Sequence, residues 1–167
     1  WIFWKIPLNH RLSASEVIYL IKCVLGTITC YALYASFPEY PFYWSIISCL
    51  LVFSQENDRE LALNRIKANF LGSFVGLAVY FLPIPQVVMF CLGVALTISL
   101  GIFLKIEPTI RSALAAVIIV IINEDKADTA WVVALQRAGC VLLGCLIALT
   151  ISMFFNRLYK AFFNRPV

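Results

Sequence analysis

Six apolar runs follow one another with only short polar breaks between them, over residues 15–37, 42–55, 61–82, 85–103, 109–123 and 131–155. A helix rises about 1.5 Å per residue and the hydrocarbon core of a bilayer is about 30 Å thick, so roughly 20 apolar residues make one crossing. The chain is 62% hydrophobic and 13% charged with a mean hydropathy of +0.91, more apolar than the core of a water-soluble domain of 167 residues requires. The runs are continuous and rich in Leu, Ile, Ala and Gly, whereas barrel strands alternate. The expected fold is therefore all-α: one polytopic membrane domain, residues 1–167, with six transmembrane helices.

Basic residues fall on alternate sides of the runs. Lys5 and Arg11 precede the first, Arg59, Arg65 and Lys67 surround the second connection, Lys105 and Arg111 lie in the fourth, and Arg157, Lys160 and Arg165 follow the last. Connections 37–41 and 83–86 have none, and 123–128 has only Lys126 among Glu124, Asp125 and Asp128. By the positive-inside rule both termini are expected in the cytoplasm. This bias accounts for the net charge of +4 without a nucleic-acid partner. Residues 1–12 mix Trp1, Phe3 and Trp4 with Lys5, His10 and Arg11, and the tail 156–167 repeats that mixture, a composition suited to lying along headgroups. Tyr40, Phe42, Tyr43, Trp44 and Trp131 fit an aromatic belt at the opposite interface. The chain begins at Trp1 without an initiator methionine, which leaves open whether residues precede it.

A shift of 72 residues brings the third and sixth runs into register, with Arg65 over Arg137, Gly72 over Gly144 and Leu77 over Leu149. Three crossings reverse the direction of a chain, so two three-helix repeats, 1–82 and 83–155, must sit inverted relative to each other, with 156–167 as a cytoplasmic interfacial tail. Inverted repeats are a common way to build a transporter around a central site. The second and fifth runs are the shortest and occupy corresponding places. Each leads into an acidic patch, and Glu56 and Asp128 are again 72 apart, which suggests an ion-pair or gating role if they are not simply solvated loop charges.

Ala68, Gly72 and Gly76 correspond to Cys140, Gly144 and Ala148, and a spacing of four puts each trio on one helix face that a neighbour can approach closely. Arg65, Arg137 and Lys22 fall inside runs. A cation in hydrocarbon costs on the order of 2.5 to 3.5 kcal/mol, so each either faces protein or water, where it would attract anions, or snorkels to the headgroups. All six cysteines lie within runs at spacings that suit apolar filling and neither zinc nor redox work. No P-loop, metal set or Ser/His/Asp constellation occurs, and no carboxylate sits mid-run, so no enzyme activity, cofactor or proton relay is expected.

The stretch 40–82, with its short aromatic-led helix, the polar turn 54–60 and then Leu63-Asn64-Arg65-Ile66-Lys67-Ala68-Asn69-Phe70-Leu71-Gly72, resembles the fusaric acid resistance protein-like family, which includes the bacterial aromatic acid exporters. It is also similar to the plant aluminium-activated malate transporters, and residues 105–144 suit their later half. The shared motif is an Arg, then Gly-Thr, then a Gly seven residues after the Arg. Arg65 and Gly72 match it, as do Arg137 and Gly144, but Ala68-Asn69 and Cys140-Val141 replace Gly-Thr. The resemblance implies a bacterial cytoplasmic (inner) membrane and a small organic anion as cargo. Relatives of this kind usually carry duplicated membrane halves, so a compact chain is expected to form a homodimer or other homo-oligomer, with a periplasmic adaptor as a further partner.

The expected function is movement of small organic anions, aromatic ones among them, by an exporter or channel-like path in which Arg65, Arg137 and Lys22 contact the substrate. The alternative is a non-conducting membrane scaffold or subunit of a larger efflux assembly.

Overall fold

The computed structural model describes residues 14–54, 57–105, 110–122 and 130–163. The described residues form six α-helices and no strand: α1 (Ala14–Ser36), α2 (Tyr43–Val52), α3 (Asp58–Tyr80), α4 (Gln86–Phe103), α5 (Ile110–Ile122) and α6 (Ala130–Phe163). Each coincides with one of the apolar runs to within a few residues except α6, which continues through the polar tail without a break. Nothing in residues 156–163 interrupts a helix, since neither Gly nor Pro occurs there.

Three helices, α1, α4 and α6, are long and apolar enough to cross a membrane. α3 matches them in length, but Asp58, Arg59, Glu60, Arg65 and Lys67 crowd its first half. α2 and α5 have only 10 and 13 residues, about 15 and 20 Å of helix, well short of a hydrocarbon core.

The helix ends follow from local chemistry. Pro41 and Pro85 stand just before α2 and α4, where a missing N–H is harmless. Asp58 and Glu60 lie in the first turn of α3, where negative charge suits the helix dipole. α4 ends as Leu104 and Lys105 turn back their N–H groups to the carbonyls of Leu100 and Ile102, with Lys105 at φ +55° in the left-handed conformation more usual for glycine.

Packing is reciprocal. α2 lies along α6 and α5 lies along α3, while α3 and α6 also touch each other at the centre. α1 sits against α2 and α6, and α4 against α5 and α3. The small residues make these contacts close. A β-carbon at Gly72 would strike the Ala113 carbonyl oxygen and come within 2.6 Å of the Ala116 β-carbon, and one at Gly76 would stand 2.9 Å from Val120. At Gly144 it would meet the backbone of Ser45, with Cα and C each at 3.0 Å. Ser45 Oγ donates to the Cys140 carbonyl at 2.7 Å, one turn from Gly144, so the α2–α6 seam is held by both close approach and a buried hydrogen bond. Ala68, Cys140 and Ala148 are buried beside these glycines.

Two apolar clusters fill the interior. One gathers Cys30, Cys49, Val52, Phe53, Ala62, Val141, Cys145 and Ala148 from α1, α2, α3 and α6. The other joins Val75, Val79, Met89, Val117 and Ile121 from α3, α4 and α5. All six cysteines are free thiols. Large apolar side chains of α1 and α4, among them Leu20, Ile28, Val87 and Phe103, are exposed on the outside, as expected where lipid replaces water.

Candidate functional site

Arg137, on α6, is 4% exposed. Its guanidinium carbon lies 4.1 Å from the centre of the Trp44 ring on α2. Its Nε donates to Asn69 Oδ1 on α3 at 3.2 Å, and its buried Nη1 has no hydrogen-bond partner among the described residues. Arg65, on α3, is partly buried. It donates from Nη1 to Ser112 Oγ on α5 at 3.0 Å, while its Nε is buried without a partner.

The two arginines are thus held in the same way, each long-helix guanidinium resting on the short helix packed against it. The correspondence extends to the backbone. Arg65 and Gly72 contact Ser112 and Ala113, and Arg137 and Gly144 contact Trp44 and Ser45. The long-helix members are 72 residues apart and the short-helix members 68, so the short helices are offset by about one turn.

Both guanidinium groups line one cavity of about 440 Å³, together with Trp44, Leu61, Arg111 and Ser112. Arg111 is exposed. A second cavity, of about 360 Å³, adjoins the α1–α2 connection and is lined by Tyr34, Glu39, Tyr40, Gln136, Trp44 and Arg137. Three guanidinium groups facing one space without a carboxylate among its lining residues make an anion-attracting environment. Arg137 Nη1 and Arg65 Nε, buried and without a partner among the described residues, are donors that a carboxylate would satisfy.

Lys22 does not join this group. It is 5% exposed, and its Nζ lies 3.0 Å from Asp58 Oδ2, an ion pair that ties α1 to the start of α3. Asp58 also accepts the Ser54 N–H at 2.5 Å, closing the turn between α2 and α3. A lysine already neutralised by a carboxylate contributes little field to a distant anion. Glu56 and Asp128 lie outside the described residues, as do residues 1–13 with His10.

Sequence reasoning passed over three members of the cavity. Trp44 was assigned to an interfacial belt, Arg111 was counted only as a loop charge, and Ser112 was not considered. The readable signal was a polar Arg111-Ser112 pair opening an otherwise apolar short helix. Asn69 stands where the family motif has a threonine, and it is this residue that accepts from Arg137.

A family model described as fusaric acid resistance protein-like matches residues 23–151, which takes in all of α2 to α5 and most of α1 and α6. Neither a curated protein nor a solved structure matches the chain. The chain belongs to the fusaric acid resistance protein-like family, and with it to the multi-pass membrane proteins associated with transport and efflux.

Proposed function

We propose that this protein moves small organic anions, aromatic carboxylates among them, across a bacterial cytoplasmic membrane along a path lined by Arg65 and Arg137. The observation that carries this reading is the pair of buried or half-buried guanidinium groups on one cavity, each with an N–H that has no partner among the described residues. A buried cation without a counter-charge is costly, and a bound anion offsets that cost. Trp44, Leu51 and Leu61 supply apolar wall for a ring, and the arginines supply the counter-charge.

The reading includes two inverted three-helix repeats, N-in and C-in, assembled as a homo-oligomer. The reciprocal seating of α2 on α6 and of α5 on α3 supports a repeat, and the basic residues near the ends of the chain support the orientation. Arg65 and Arg137 are substrate contacts in this scheme. Lys22, paired with Asp58, acts as a structural tie.

The test is uptake of benzoate into liposomes holding the purified protein. Wild type is expected to conduct, and Arg137→Ala to lower the rate by about tenfold, the effect of losing about 1.4 kcal/mol of interaction. Equal rates for wild type and Arg137→Ala would remove the arginine path. Protein inert towards every anion but co-purifying with a partner would support the scaffold role instead.

A further inference from the structure

Trp44 and Arg137 are the two side chains common to both cavities. The cavities succeed each other along the groove between α2 and α5. Ile47 and Ala115 line the arginine cavity, whereas Tyr43 and Ile119, about one turn further along, line the tyrosine-rich one. The guanidinium packed at 4.1 Å over the indole therefore stands between the two cavities.

We propose that Trp44 is a specificity-determining gate: stacked on Arg137 it closes the way between the two cavities, and an anion entering either cavity competes with the ring for the guanidinium, draws it away and opens the passage. This rests on the transport reading above. The chemistry follows from a competition. A carboxylate offers the guanidinium a full counter-charge and paired charge-assisted hydrogen bonds where the ring offers one π-face, so an incoming anion displaces the ring whereas a neutral molecule of the same shape does not. Arg137 does not drift freely once released, because Asn69 still holds its Nε from α3. The ring's bulk limits the size of what passes, and its π-face makes passage depend on charge. These are separable roles, and different substitutions remove them.

The experiment compares wild type, Trp44→Ala, Trp44→Phe and Trp44→Leu in liposomes, with benzoate, the bulkier 2-naphthoate and neutral benzamide as probes. Trp44→Ala is expected to raise the ratio of 2-naphthoate to benzoate flux by about tenfold, the scale on which one pocket substitution changes discrimination. Trp44→Phe, which keeps an aromatic face, is expected to stay within about twofold of wild type. Should the alanine variant not fold, Trp44→Leu serves: it keeps bulk without a π-face, and discrimination of benzoate against benzamide is expected to fall by about tenfold. Wild type that passes benzoate, with neither ratio altered by these substitutions, overturns the gate and leaves the transport reading standing. Wild type that passes no anion overturns both.

Discussion

Lys22 Nζ on α1 lies 3.0 Å from Asp58 Oδ2 at the first residue of α3, with both side chains at least nine-tenths buried. A buried charge whose partner is removed is left uncompensated, at a cost of about 3 to 5 kcal/mol. Asp58→Ala is therefore expected to lower the thermal midpoint in detergent sharply, whereas Lys22→Met combined with Asp58→Ala recovers much of the loss. A double variant no more stable than the single one would show that the ion pair is not what Asp58 contributes.

The glycines of the two seams are not interchangeable with alanine. At Gly72 and Gly144 an added methyl meets backbone, of Ala113 and Ser45 respectively, and backbone inside a packed helix pair yields little. Gly144→Ala is expected to cost about 1 to 3 kcal/mol, and Gly72→Ala a similar amount. Gly139→Ala is the control, since nothing lies within 4 Å of its would-be β-carbon. There the better helix propensity of alanine is expected to leave stability unchanged or raise it by up to about 1 kcal/mol. Equal midpoints for all three variants would mean that the seams do not close as described.

Asn69 accepts from Arg137 with a neutral carbonyl, which holds the guanidinium while leaving its charge available. Asn69→Asp keeps the shape and cancels the charge. Benzoate uptake is expected to fall by about tenfold or more, the equivalent of about 1.4 kcal/mol, with stability maintained or improved by the new ion pair. Undiminished uptake by a well-folded Asn69→Asp protein would mean that anions do not use the field of Arg137.

The helices themselves were legible because unbroken apolar runs leave the backbone no other partner in hydrocarbon, and the brevity of α2 and α5 could be counted. The end of α6 was not, since charged and aromatic residues after Asn156 read equally well as tail or as helix. Among the site residues, Arg65 and Arg137 stood out by charge and spacing, and both line one cavity. Lys22 stood out for the same reason and lies elsewhere, because its partner Asp58 is 36 residues away and nothing local announces the pair. The contact of Trp44 with Arg137 was hidden on similar grounds. An aromatic at the start of an apolar run is compatible with a membrane interface, and only the packing of α2 on α6 brings Arg137 over its ring.

The seating of each short helix on the long helix of the opposite half has a consequence for biosynthesis. When α3 leaves the ribosome, the notch at Gly72 and Gly76 stands empty until α5 has been made, and α2 has no bed until α6 follows. Neither α1–α3 nor α4–α6 covers its own small-residue face without a helix of the other set. This packing clasps shut only once α6 is in place.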